Sequence, residues 1–137
     1  MSDNKQRLID FQTELGKLLQ GKNADIARFF HPEIAWHFPK STASASSGSD
    51  HYGKDAVMAM FAGDVDQFYQ PGSLRFHYHA MTAEADRVHM HFSLEAVTTS
   101  GRDYYNDYQS LFRFKDGQII EVWEYFDTAY LFSLFAD

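Results

Sequence analysis

The chain has 137 residues, a net charge of −7 and no cysteine. That is one domain's worth of sequence, with no positive field for nucleic acid or anionic membrane. It also has no thiol for disulfides, zinc or nucleophilic attack. The aromatic share is 17%, with thirteen Phe and eight Tyr, more than a small core needs and suited to the wall of a cavity.

The opening residues, MSDNKQRLIDF, are polar and lack the apolar run of a signal peptide. No stretch approaches the roughly 20 apolar residues of a membrane span, so a cytoplasmic protein with one domain over 1–137 is expected. Ser2 or Asp3 can cap a helix whose apolar stripe is Leu8, Phe11, Leu15, Leu18 and Leu19, ended by Gly21. Asn23 reads as the cap of a short second helix carrying Ile26, Phe29 and Phe30, stopped at His31-Pro32. Ile34 to Phe38 reads as a short strand. Residues 40–50, KSTASASSGSD, have nothing to pack with and read as a mobile loop. A third helix opens at Tyr52-Gly53-Lys54-Asp55, with Val57, Met60, Phe61, Val65 and Phe68 on one side.

After Pro71-Gly72 the period changes from 3.6 to 2. Leu74–Thr82 and Arg87–Thr98 read as strands joined by residues 83–86. Turns at Ser100-Gly101 and Asp116-Gly117 lead into two more long strands, and Asp127 caps a final short helix. One face of such a sheet must be covered, and the amphipathic helices are its only cover. The expected architecture is therefore α+β: a cone-shaped, curved antiparallel sheet around three N-terminal helices, with a short C-terminal helix and an apolar pocket between the layers.

Strand parity names the pocket wall. Ile120, Val122, Glu124 and Phe126 share one face of the last strand; Ile119, Glu121, Trp123 and Tyr125 share the other. The first set has a single polar member and reads as the inner wall. The second reads as a face for a homodimer partner. On the preceding strand Arg113 and Lys115 must be wet, which turns Asn106, Tyr108, Ser110, Phe112 and Phe114 inward. A carboxylate placed among apolar side chains is costly unless it works, so Glu124 is the candidate acid or base. Trp36, Tyr78, Phe112, Phe126, Tyr108 and Asn106 are the candidate ligand contacts. His77-x-His79 and His89-x-His91 lie on paired strands. If Thr82 pairs with Arg87, the two pairs face opposite sides and cannot share a metal ion; a one-residue bulge would reverse this. No metal and no cofactor are expected.

Trp36 to Pro39 (WHFP), Tyr52 to Val57 (YGKDAV), Gly101 to Tyr108 (GRDYYNDY) and Phe112 to Thr128 (FRFKDGQIIEVWEYFDT) resemble the SnoaL-like proteins of the nuclear-transport-factor-2-like superfamily. Ketosteroid isomerase, scytalone dehydratase, limonene epoxide hydrolase and polyketide cyclases are members. The resemblance covers nearly the whole chain. It implies a cone-shaped, cystatin-like α+β barrel with an apolar pocket, usually dimeric through the outer sheet face. It also implies a general base at Glu124, which matches the carboxylate before Tyr-Phe-Asp in limonene epoxide hydrolases, and a polar inward position near His91. The departures are clear. Those hydrolases hold the base through an Arg and an Asp, where this chain has His91 and Ser93. Ketosteroid isomerases carry theirs just before a Pro, where this chain has Phe38, with His37 one residue earlier.

Three functions follow as alternatives. The first is an acid–base enzyme on a small, apolar, oxygenated molecule, with Glu124 as base, His37 or His91 as relay and Tyr108 or Asn106 as polarising donor. The second is a non-catalytic binding protein for a small hydrophobic ligand. The third is a dimeric scaffold whose cavity is filled by its own side chains.

Overall fold

The structure, a computed structural model, describes residues 3–43 and 48–135, with backbone only at 64–66. The expectation for Val65 and the central part of the Ser-rich segment therefore lie outside the described residues. Helix α1 (Asn4–Leu19) buries Leu8, Phe11 and Leu15 as its stripe requires. It ends on Gly21 at φ 79°, where the amides of Gly21 and Lys22 bond back to Leu18 and Lys17. Asp3 stands at its N-terminus without a side-chain cap.

The expected second helix is only a 3-10 turn, Ala27–Phe29. Phe30 already belongs to strand β1 (Phe30–His37), which runs through Pro32. That is possible because pairing is interrupted between Phe30 and Ala35, where no ladder needs the missing proline N–H. The segment after β1 contains a 3-10 turn, Lys40–Thr42, and a short strand β2 (Asp50–Tyr52) that pairs with β1. Helix α2 (Lys54–Phe68) buries Val57 and Met60.

Four long strands follow: β3 (Arg75–Glu84), β4 (Arg87–Val97), β5 (Asp103–Lys115) and β6 (Gln118–Phe126), then helix α3 (Thr128–Phe135). Asp127 caps α3, its Oδ1 accepting from the Tyr130 amide at 3.0 Å. The β5–β6 turn has Asp116 at φ 53° and Gly117 at φ 78°, the left-handed pair that a two-residue hairpin demands. A Cβ on Gly117 would also press within 3.3 Å of the Arg7 guanidinium.

The sheet is mixed, not purely antiparallel. Its order is β2-β1-β6-β5-β4-β3, and β1 lies parallel to β6. Helix α1 packs on β3 and β4, and α2 on β1 and β2. Among the described residues the result is an α+β fold with three α-helices, of which two rather than three precede the long strands.

Two bulges overturn parity expectations. Arg113 pairs with Glu121 but Phe114 pairs with Ile119, so Ile120 is the extra residue. Ile119, not Ile120, is therefore the core residue, 1% exposed. The second bulge lies between Tyr78 and Ala80. The β3–β4 turn is two residues long, with Glu84 opposite Arg87, not the four-residue loop expected. Together these place His79 beside His91, ring centroids 4.7 Å apart, on the outer sheet face that also carries His77. The histidines thus share a face after all. Even so, no group of three or more metal-ligating side chains is found among the described residues.

Candidate active site

Between the helices and the inner sheet face lies a cavity of about 200 Å³. Glu124, Tyr108, Phe112, Phe126 and Trp36 line it, with Phe11 and Gln12 from α1, Phe61 from α2 and Leu131 from α3. Its existence argues against the filled scaffold. Val122, Glu124 and Phe126 alternate inward on β6 while β5 supplies Tyr108, Ser110 and Phe112, so Glu124 sits directly opposite Ser110. The Glu124 carboxyl is packed round by protein, and this burial pushes its pKa up to about 7. The Trp36 indole N–H opposes the rise. It stands close to the carboxyl but makes no hydrogen bond of normal geometry. Trp36→Phe is accordingly expected to raise the Glu124 pKa further, read by NMR titration of the labelled carboxyl. An unchanged midpoint would remove Trp36 as its partner.

A chain of hydroxyls ends at the same part of the cavity. Asn106 Nδ2 donates to Tyr104 Oη at 2.9 Å and to the Asp127 carbonyl at 3.0 Å, while Asn106 Oδ1 accepts from the Asp107 amide at 2.9 Å. These contacts fix which way the amide points. Tyr104 and Tyr108 hydroxyls lie 2.7 Å apart. The Tyr69 hydroxyl hydrogen-bonds to both, so the three phenols and Asn106 form one network at this end of the cavity. Tyr69 lines the cavity as well, its ring 5.4 Å from that of Tyr104. Burial holds the pKa of all three phenols above the ordinary tyrosine value, and the nearby Glu124 charge adds to the rise.

The predicted residues divide cleanly. Glu124, Tyr108, Phe112, Phe126 and Trp36 meet at the cavity. Asn106 stands behind it, bound to Tyr104 rather than to Glu124. Tyr78 faces the helices from the edge strand, half exposed, and donates to Gln12 Oε1 at 2.9 Å. His37 and His91 are not in the cavity. On β1, Trp36 takes the inner side, so alternation sends His37 outward. There its Nδ1 meets Asp50 at 2.7 Å, its Nε2 meets Glu121 at 2.8 Å, and its ring stacks on Trp123. On β4 the inner row is Val88, Met90, Phe92 and Leu94, which turns His91 to the other face.

Two members of this hydroxyl network escaped sequence reading. Tyr104 extends the buried β5 row by one step and could have been found by parity. Tyr69 lies in the irregular stretch after α2, where no period exists to orient it.

Solved structures with this architecture define the class of fold. An NTF2-like protein of unknown function from Burkholderia pseudomallei is 20% identical, each chain covering 100% of the other, with a TM-score of 0.85. TerC, co-crystallised with polyporic acid, is 18% identical over 99% of this chain and 100% of its own, with a TM-score of 0.83. A proposed SnoaL-like polyketide cyclase from Jannaschia is 21% identical over 100% of this chain and 97% of its own, with a TM-score of 0.74. The family model of the SnoaL-like domain matches residues 17–122, and the chain belongs to that family. None of the curated proteins matches it. No described helix is long and apolar enough to cross a membrane.

Proposed function

We propose that this protein is an acid–base enzyme that needs no cofactor and acts on a small, mainly apolar, oxygenated molecule held in the cavity. The reaction belongs to the isomerase, dehydratase, cyclase or epoxide hydrolase type. One observation carries the reading: a carboxyl whose pKa burial raises to about 7 lines an apolar cavity together with Tyr108, a member of a buried network of tyrosine hydroxyls. At neutral pH such an acid is present in both forms, the condition under which one group both takes and returns a proton efficiently. As carboxylate, Glu124 removes a proton from the bound molecule, or from water beside it. Tyr108, backed by Tyr104 and Asn106, donates to the oxygen on which charge develops. The protonated Glu124 then returns the proton. His37 and His91 have no part in this, because the sheet stands between them and the cavity.

The relative proposed as a polyketide cyclase and the one co-crystallised with polyporic acid are consistent with such substrates. The finer form of the reading is a cone-shaped barrel paired into a homodimer through its outer sheet face. Half-buried Trp123 and exposed Tyr125 and Tyr105 support that pairing.

The test is Glu124→Gln, assayed on a panel of enolisable ketones, β-hydroxy ketones and epoxides. Loss of turnover by about 10²–10⁴-fold with ligand binding kept is the expected result. Equal rates in variant and parent would end the assignment of the base.

A further inference from the structure

The outer face of the sheet carries a polar relay in which the cavity has no part. The bulge at His79 seats its ring beside His91 of the neighbouring strand, on the face turned away from Glu124. His79 Nε2 lies 2.8 Å from Ser93 Oγ, and Ser93 Oγ donates to Asp107 Oδ1 at 2.6 Å. A carboxylate only accepts, and a serine has one proton to give. Ser93 therefore spends its proton on Asp107 and accepts from His79 Nε2–H. This is the reverse of a nucleophile's arrangement, in which the histidine takes the serine proton, and Ser93 is in any case only 1% exposed. In the neutral ring it leaves Nδ1 of His79 as a bare lone pair.

A ring held in that tautomer is ready to bind a metal ion. Metal-binding histidines give their other ring N–H to a polar partner, which fixes the tautomer and the ring orientation. A second nitrogen is at hand in His91, whose ring centroid lies 4.7 Å from that of His79. With metal–nitrogen bonds of about 2.1 Å and ring nitrogens about 1.2 Å from the centroid, two imidazoles on one ion at about 90–110° have centroids roughly 4.6–5.3 Å apart. The observed separation falls in that range. Among the described residues neither His79 Nδ1 nor His91 has a hydrogen-bond partner. His79 is exposed and His91 half-buried, so an ion can reach them from solvent. His77, on the same face, is held by Glu95 at 2.9 Å instead.

The geometry points to a metal site on this face: His79 Nδ1 and one ring nitrogen of His91 bind a divalent late transition-metal ion, with water in its remaining positions. Ser93 and Asp107 are positioning residues behind His79, and the Asp107 charge favours a cation there. Two protein ligands suffice for such a site, which agrees with the lack of a three-ligand group among the described residues. Imidazole nitrogen suits Cu²⁺, Ni²⁺ and Zn²⁺, with Cu²⁺ bound tightest, whereas Mg²⁺ requires oxygen ligands. The site lies across the sheet from Glu124, on strands β3 and β4, away from Trp123 and Tyr125 on β6. It is independent of the proposed function.

Calorimetric titration of the untagged protein with Cu²⁺, Ni²⁺, Zn²⁺ and Mg²⁺ tests it. One ion per chain is expected for the first three, Cu²⁺ tightest, and no binding heat with Mg²⁺. His79→Ala and His91→Ala should each weaken Zn²⁺ by about thirtyfold or more, and Ser93→Ala and Asp107→Asn by about tenfold. His77→Ala should bind as the parent does. Circular dichroism confirms that each variant folds, and the exposed Asp107 position serves should the buried Ser93→Ala not fold. Nitrogen NMR of the metal-free ring gives a readout that fold damage alone would not move: His79 should be the Nε2–H tautomer in the parent and lose that preference in Asp107→Asn. A parent that binds no Zn²⁺, or a histidine variant of either residue that binds as well as the parent, overturns the site. Equal loss in His77→Ala overturns its location, Mg²⁺ binding as tightly as Zn²⁺ overturns the nitrogen ligands, and an Nδ1–H tautomer overturns the role of Ser93 and Asp107.

Discussion

Glu124→Gln is expected to make the folded protein more stable at pH 9 by about 4 kcal/mol, while leaving its stability at pH 4 nearly unchanged. An unfolded glutamate titrates near 4.3, whereas in the fold burial raises Glu124 to about 7. The folded state therefore prefers the protonated form. Below the ordinary value both states hold the proton, and the acid costs nothing for its charge. As pH rises towards 7 the unfolded chain releases its proton first, and stability falls until the folded pKa is passed. Each pKa unit is worth about 1.4 kcal/mol, which gives the stated size. Glutamine has the same shape and no such slope. Urea unfolding of both proteins from pH 4 to 9 measures it, and parallel stability curves would show that Glu124 is not strained by burial. The expected loss of activity and gain of stability in one variant make the acid a group that works at the fold's expense.

Phe11→Ala is expected to cost about 3–5 kcal/mol, the range for removing a large buried side chain that its surroundings cannot refill. Phe11 is 0% exposed, and its ring meets Phe30 at 5.5 Å, Phe29 at 5.7 Å, Phe112 at 6.3 Å and Trp36 at 6.5 Å. It joins α1, β1 and β5 in one cluster and also lines the cavity, so the lost ring would enlarge a space already present. Phe132→Ala, on α3 at the same cavity and 37% exposed, should cost far less. Denaturant unfolding at one pH compares the two. A Phe11 variant as stable as the Phe132 variant would mean that the cluster is not the core.

Sequence pattern carried some elements to the residue. The alternation of β5 placed Asn106, Tyr108, Ser110, Phe112 and Phe114 inside, where all five are buried. Asp116-Gly117 and the Asp127 cap were legible because each solves a local backbone problem that few residues solve. What could not be read was non-local. A bulge at His79 or Ile120 inserts one residue without disturbing the alternation on either side, so only the paired strand reveals it. The parallel seating of β1 on β6 leaves no signature in either strand. His37 is a different case: it and Trp36 were both assigned to the pocket although adjacent strand residues face opposite ways. Parity alone could have separated them.

The parallel seating of β1 on β6 also sets the order in which the site can be assembled. Hairpins β3–β4, β4–β5 and β5–β6 close over short turns, but His37 and Glu121, which meet across β1 and β6, are 84 residues apart in the chain. Closing so long a loop costs entropy before any contact repays it, and contacts of this kind slow a folding reaction. Trp36 reaches Glu124 only through that pairing. A refolding chain that has zipped its four long strands but not yet docked β1 holds Glu124 on an uncovered sheet, where it titrates as an ordinary carboxylate. Its unusual proton affinity therefore reports on tertiary assembly and not on the strand that carries it.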